Sequence, residues 1–276
     1  MITDDLVPSW LTSWVAWKNF YTKENGQPFS ALLEEMNLKR LPISTEFISH
    51  YGTFCPYCQG SSVVESKDFG VIFCICELLD KINKVQNHHR QIRSSVSKAS
   101  LDDIKFPYEM GRMYRSTMQD FIKTAREFIA SPDYWIFVSG YLGTGKTHVL
   151  KAINAAFDPM ALYISARDLE QQTHTFRKKD MLDFFYDTLT KAPILILDDI
   201  GMEYGGKLVK SIMEKVIDYR YERFPDLPVI LASNMLPKEF PEYIPRASDR
   251  LFDKSVTKIH VLQANQSYRK LREMGK

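Results

Sequence analysis

Trp135-Ile-Phe-Val-Ser-Gly140-Tyr-Leu-Gly-Thr-Gly145-Lys-Thr-His148 is the stretch that decides the fold. Trp135 to Val138 are β-branched or aromatic and, closed by Ser139, read as a short buried strand. The strand runs straight into Gly140 to Thr147, which meets G-x-x-x-x-G-K-[ST] at every fixed position. Behind it, Val149, Leu150, Ala152, Ile153 and Ala156 recur at helical spacing. Each residue type has a physical task. Glycines let the backbone curl until successive N–H groups point inward at phosphate oxygens. The helix N-terminus adds the positive end of its dipole, Lys146 reaches the outer phosphates, and the Thr147 hydroxyl can ligate Mg²⁺. A glycine-rich turn with a chance lysine would not carry a strand before it and a helix after it. Gly140, Gly143, Thr144, Gly145, Lys146, Thr147 and His148 are therefore expected to hold the phosphates of a nucleotide.

Downstream, Asp158-Pro159 breaks the helix and Ala161 to Ser165 reads as a second strand. A polar and aromatic helical segment is expected from Asp168 to Thr190. Pro193-Ile-Leu-Ile-Leu197 then ends in Asp198-Asp199. An unbroken apolar run suits a central parallel strand covered on both faces, and ligands sit at the carboxyl ends of such strands. Asp198 is expected to hold Mg²⁺ through water opposite Thr147, and Asp199 to orient or deprotonate the attacking water. Pro228 to Ser233 forms the next strand. Asn234, just past its end, can hydrogen-bond the γ-phosphate or that water, although Asn is equally a common turn residue. Thr257 to Leu262 is the last strand. Five such runs alternating with helical patterns predict an α/β domain: a parallel five-stranded sheet with helices on both faces. Arg246 and Arg250 lie four apart on one face of a short predicted helix. They serve either as an arginine finger toward a neighbouring subunit's γ-phosphate or as an Arg–Asp surface pair of little energetic weight.

The preceding half has a different character. Leu6, Trp10, Trp14, Trp17 and Tyr21 form one helical face. This is either the core of a small domain or a docking face for a partner protein. A second helix is expected over Phe29 to Leu38. All four cysteines lie between Cys55 and Cys76. Cys55-Pro-Tyr-Cys58 has knuckle spacing, 15 residues follow, and Cys74-Ile-Cys76 closes the set on a predicted strand from Gly70. Residues i and i+2 of a strand share a side, so four thiolates can face one structural Zn²⁺; four buried thiols acting as small apolar residues are the plainer alternative. From Ile82 to Asp103 the chain is polar, a solvated helix and then a linker. The expected division is a helical segment at 1–53, a zinc module at 54–80, a linker at 81–105 and the nucleotide-binding domain at 106–276.

Bulk properties exclude several classes. At 276 residues the chain allows one to two domains. A formal charge of +2 gives no global basic field, so any nucleic-acid contact must come from a local patch. No run approaches about 18 apolar residues, and the acidic start lacks a signal-peptide pattern. A cytoplasmic protein without membrane contact is expected, and in such a compartment clustered cysteines favour metal over disulfides.

Taken together, Gly-Thr-Gly-Lys146-Thr-His, Ile-Leu-Ile-Leu-Asp198-Asp-Ile-Gly, Ala-Ser-Asn234, the Arg246–Arg250-Leu segment and the closing Gln-Ser-Tyr-Arg269 resemble the DnaC/DnaI-type replicative helicase loaders. The related IstB-like AAA+ ATPases, which assist transposases, share these motifs. The resemblance spans roughly residues 100 to 270. It implies an AAA+ P-loop ATPase domain with a reduced or absent C-terminal lid, which agrees with a chain that ends soon after its last strand. By the same resemblance Arg250 takes the position of the trans-acting finger and Arg246 that of a supporting arginine. A zinc-binding domain before the ATPase also resembles DnaI. Many AAA+ members carry Glu where this chain has Asp199, one methylene shorter, which suits slow, switch-like hydrolysis.

What the resemblance implies about function is an ATP- and Mg²⁺-dependent loader. It would self-associate through its ATP sites, dock a hexameric replicative helicase through residues 1–100 and bind single-stranded DNA. His174, Phe176, Arg177, Lys178 and Lys179, with Tyr204 and Lys207 in a second loop, are the candidate DNA contacts; an ordinary charged helix face is the competing reading. The alternatives are a transposition regulator that assembles on duplex DNA and recruits a transposase, and a non-hydrolysing adaptor in which ATP only shapes a binding surface.

Overall fold

The computed structural model describes residues 63–66, 70–74, 89, 92–94, 99–105, 107–158, 160–201 and 206–273. The helices expected over residues 6–21 and 29–38 lie outside them. The chain divides into two compact units, Met1–Val85 and Gln86–Lys276. In the first, β1 (Val63–Ser66) and β2 (Gly70–Phe73) form an antiparallel hairpin with Val63 opposite Phe73 and Ser66 opposite Gly70. Ile72 and Cys74 are buried.

The second unit is built on five strands: β3 (Trp135–Gly140), β4 (Ala161–Ser165), β5 (Ile194–Ile200), β6 (Val229–Ser233) and β7 (Thr257–Leu262). They pair in parallel in the order β4-β5-β6-β3-β7. Parallel neighbours need crossover connections, and helices supply most of them. In chain order the helices are α1 (Arg112–Ala130), α2 (Lys146–Phe157), α3 (Ala166–Lys178), α4 (Leu182–Lys191), α5 (Lys207–Tyr221), α6 (Phe240–Tyr243), α7 (Ser248–Leu251) and α8 (Tyr268–Glu273).

Side-chain alternation divides the sheet into two faces. Phe137, Leu162, Ile164, Leu195, Leu197 and Leu231 share a core with Leu169 of α3, Phe185 and Leu189 of α4 and Ile212, Met213, Val216 and Ile217 of α5. The intervening residues, among them Ile136, Val138, Ile196 and Ile230, are equally buried. α2 packs against β4, β5 and β6, and α1 against β7 and α2. The buried stripe of α1 runs Tyr114, Met118, Phe121, Ala125, Phe128, the spacing of a helix with one covered face.

The helix expected from Asp168 to Thr190 is two. α3 starts early, because the Ser165 hydroxyl caps it by accepting from the Asp168 N–H at 3.2 Å. It stops because Asp180 takes φ 54°, a left-handed conformation that ends a right-handed helix. Among the described residues, no helix is long and apolar enough to cross a membrane.

Candidate nucleotide site

The carboxyl ends of β3, β5 and β6 converge on one cavity of about 420 Å³, within the range of small-ligand sites. After β3 the chain turns through Gly143, φ 76°, and Gly145, φ 90°, into α2. Three neighbours brace this loop. Tyr114 Oη of α1 donates to Thr144 O at 3.0 Å. The Tyr268 N–H donates to Gly143 O at 3.0 Å, and a Cβ on Gly143 would lie 2.0 Å from Ser267 Oγ. His148 Nε2 lies 3.0 Å from Ser100 O. The glycine at 143 is thus required twice, by its φ and by the close approach of Ser267.

The Lys146 ammonium is buried and points along the loop. Nζ donates to Gly140 O at 2.6 Å, Tyr141 O at 3.1 Å and Asn234 Oδ1 at 2.9 Å. Burial pulls its pKa down to about 8; Asp199 and Asp198 oppose that shift, and Arg269 adds to it. Asn234 is held at the end of β6 by Ser233, whose hydroxyl donates to Ile200 O at 2.5 Å and accepts from the Met235 N–H at 2.9 Å.

At the end of β5 the register with β6 slips between Leu197 and Ile200, and Asp199 adopts φ 56°. Such a bulge re-aims side chains beside a site. Asp198 turns inward and is buried, while Asp199 is exposed and lines the cavity. Asp198 Oδ1 accepts from Thr147 Oγ1 at 3.3 Å and from the Asp199 N–H at 2.9 Å. Its Oδ2 accepts from Tyr163 Oη at 2.5 Å. Burial pushes the Asp198 carboxyl above the ordinary carboxylate range, the Tyr163 hydrogen bond opposes this, and the Asp199 charge reinforces it. Burial, and then the Asp198 charge, push Tyr163 well above the usual phenol value, so it remains a donor. Thr147 Oγ1 and Asp198 Oδ1, two hard oxygens, lie 3.3 Å apart between the loop and β5. That donor set fits Mg²⁺, which takes one or two protein oxygens, keeps several waters and draws the rest from phosphate.

Of the residues expected to contact nucleotide, Gly143 to His148 line the cavity together with Asp199 and Asn234. Ala99, Lys151, Tyr268 and Arg269 line it as well. Sequence reasoning gave these four no place in the site, although Tyr268 and Arg269 belong to the Gln-Ser-Tyr-Arg269 motif. Arg250 pairs with Asp218 of α5, its guanidinium 5.7 Å from the Tyr221 ring centre, and Arg246 is exposed. Neither lines the cavity of its own chain.

One expected DNA contact is corrected. Phe176 is buried, stacked on Phe185 with ring centres 5.3 Å apart and on Phe184 at 5.8 Å, so its faces are not available to a base. The signal was present: Ala166, Leu169, Thr173 and Phe176 fall on one buried helical face. His174, Arg177, Lys178, Lys179 and Lys207 are exposed. Tyr204 lies outside the described residues, as do Cys55, Cys58 and Cys76 of the expected zinc set; Cys74 is buried just past β2.

Residues 136–256 match the family model described as ATPase family associated with various cellular activities (AAA). The chromosomal replication initiator protein DnaA of Acinetobacter baylyi is 24% identical over 173 residues, 61% of this chain and 36% of that protein. DnaA of Microcystis aeruginosa is 27% identical over 124 residues, 43% of this chain and 27% of that protein. The chain therefore spans about a third or less of the length of these relatives. AMPPCP-bound DnaA from Aquifex aeolicus superposes with a TM-score of 0.52 at 22% identity, over 64% of this chain and 55% of that one, a likeness of fold. With the loop, the paired aspartates and the parallel sheet in place, residues 136–256 form an AAA+ P-loop domain.

Proposed function

We propose that this chain is an ATPase that acts in the initiation of DNA replication as the loader of a replicative helicase. The observation that carries the reading is the shared cavity: the segments behind the helicase-loader resemblance, Gly143–His148, Asp199, Asn234 and Tyr268-Arg269, line one space. The replication-initiator names of the curated relatives support the same process.

In this reading Lys146 exchanges its neutral carbonyl partners for phosphate oxygens, a stronger, charge-assisted set. Thr147 and Asp198 hold Mg²⁺, which when bound neutralises charge on the phosphates. Asp199 orients or deprotonates the attacking water, and Asn234 holds that water or the γ-phosphate. Arg250, with Arg246 beside it, reaches the ATP site of a neighbouring subunit, so ATP ties copies together. The short side chain of Asp199 makes turnover slow, as suits a switch. Single-stranded DNA is gripped by Arg177, Lys178, Lys179 and Lys207 with Tyr204. A Cys55, Cys58, Cys74 and Cys76 zinc site stabilises the helicase-docking part within residues 1–100, a reading supported by their spacing.

The test is retention of hexameric replicative helicases by the immobilised full chain with ATP and Mg²⁺. ATP-dependent retention is expected; no retention of any host or phage helicase would overturn the loader reading. The relatives' names favour a second reading, a replication-initiation ATPase that docks no helicase itself, and DNA binding without helicase retention would select it. Retention of a transposase would instead select the transposition regulator.

A further inference from the structure

We infer that Tyr163 is a positioning residue for ATP hydrolysis, its phenol fixing the Asp198 carboxylate so that Oδ1 faces Thr147. The inference rests on reading Asp198 as the carboxylate that holds the metal side of the nucleotide.

The argument begins with register. Tyr163 of β4 stands opposite Ile196 of β5, and Ser165 opposite Asp198. Alternation puts Tyr163, Ile196 and Asp198 on one face of the sheet. Tyr163 is therefore the diagonal neighbour of Asp198, one strand across and two residues along. Serine or asparagine would fall short across that gap. A tyrosine spans it, and the hydroxyl closes on Oδ2 at 2.5 Å. Both carboxylate oxygens are then committed, Oδ1 to Thr147 and the Asp199 N–H, Oδ2 to Tyr163. A phenylalanine would fill the same volume but leave Oδ2 without this donor in a site where Asp198 is 1% exposed.

Tyr163 is itself held from outside. β4 is an edge strand, and Ser94 covers its outer side. The Ser94 N–H donates to Tyr163 O at 2.9 Å, the Ser165 N–H donates to Ser94 Oγ at 2.9 Å, and the Ser94 hydroxyl bonds Asp168. With Ile92 buried in the core beside it, this short segment closes the edge at Tyr163. Groups that orient a metal's ligands typically change metal affinity by about 10–100-fold when removed.

The experiment uses the full-length chain as wild type, Tyr163→Phe, Asp198→Asn and the double variant. Affinity for a fluorescent ATP analogue is titrated with Mg²⁺ and with EDTA, and Mn²⁺ binding in the presence of ATP is followed by electron paramagnetic resonance. Tyr163→Phe is expected to leave the affinity in EDTA within about twofold, and to weaken both the Mg²⁺-dependent gain and Mn²⁺ binding by about tenfold. In the Asp198→Asn background it should have no further effect, because a residue that acts through another is not additive with it. An unchanged Mg²⁺ gain, or an equal effect in both backgrounds, overturns the inference. So does a Tyr163→Phe protein that fails to fold, because the phenol would then belong to the core and not to the carboxylate. If Asp198→Asn alone leaves the Mg²⁺ gain intact, the reading of Asp198 fails first, and the two failures are told apart.

Discussion

Lys146 Nζ lies 2.9 Å from Asn234 Oδ1, joining the loop after β3 to the end of β6 across the cavity. An ammonium buried among carbonyl oxygens is desolvated without being neutralised, and this is why its pKa falls to about 8. The lysine is thus poised for a polyanion.

The pH dependence of ATP affinity follows. Phosphate binds the ammonium form, and the unliganded chain loses that proton near pH 8. Below that value the lysine is already charged and affinity should be level. Above it, binding must recapture a proton, so affinity should fall by up to about tenfold per pH unit. Titrations at pH 7, 8, 9 and 9.5 check this; constant affinity across the series would contradict it.

Gly143→Ala forces φ 76° on a residue with a Cβ and drives that atom into Ser267. Strain of about 1–3 kcal/mol should appear as a loss of about tenfold or more in ATP affinity. Fluorescence titration reads the affinity, and circular dichroism should show the fold retained.

Arg250→Ala separates the finger from the surface pair. Its bond to Asp218 is partly exposed, so stability should change by less than about 1 kcal/mol. If Arg250 acts on a neighbour's ATP, turnover should fall by about 10³-fold with ATP affinity kept. Mixing it with Lys146→Ala, which retains the finger, should restore part of the activity. Unchanged turnover would leave only the surface pair.

Arg220 is a structural prediction. It is fully buried at the end of α5 and donates to Leu189 O, Thr190 O and Ala192 O at the close of α4 and to Pro228 O before β6. Lysine cannot reproduce that planar fork. Arg220→Lys should cost about 3 kcal/mol in urea unfolding, while residual folded protein still binds ATP.

The core strands were legible because an apolar run between turn residues has few other uses, and Ile194 to Leu197 shows it best. The loop was legible because Gly143, Gly145 and Lys146 are tied by chemistry to fixed spacing. Tyr163 was not, because its partner lies on another strand and only register reveals the diagonal. Ser94 was not, because a serine-rich polar stretch reads as linker until its edge strand is known. Phe176 misled because basic neighbours suggested a stacking platform while the buried face of α3 had already claimed it. The break at Asp180 came from a backbone conformation that composition does not announce.

The most direct measurement is calorimetric titration of ATP with Mg²⁺ into the wild-type chain and into Lys146→Ala. The loop of β3 and the carboxylates of β5 should together give saturable binding to the wild type, with the variant losing nearly all of it. A wild type that takes up no adenine nucleotide, or a variant that binds equally well, would contradict the account.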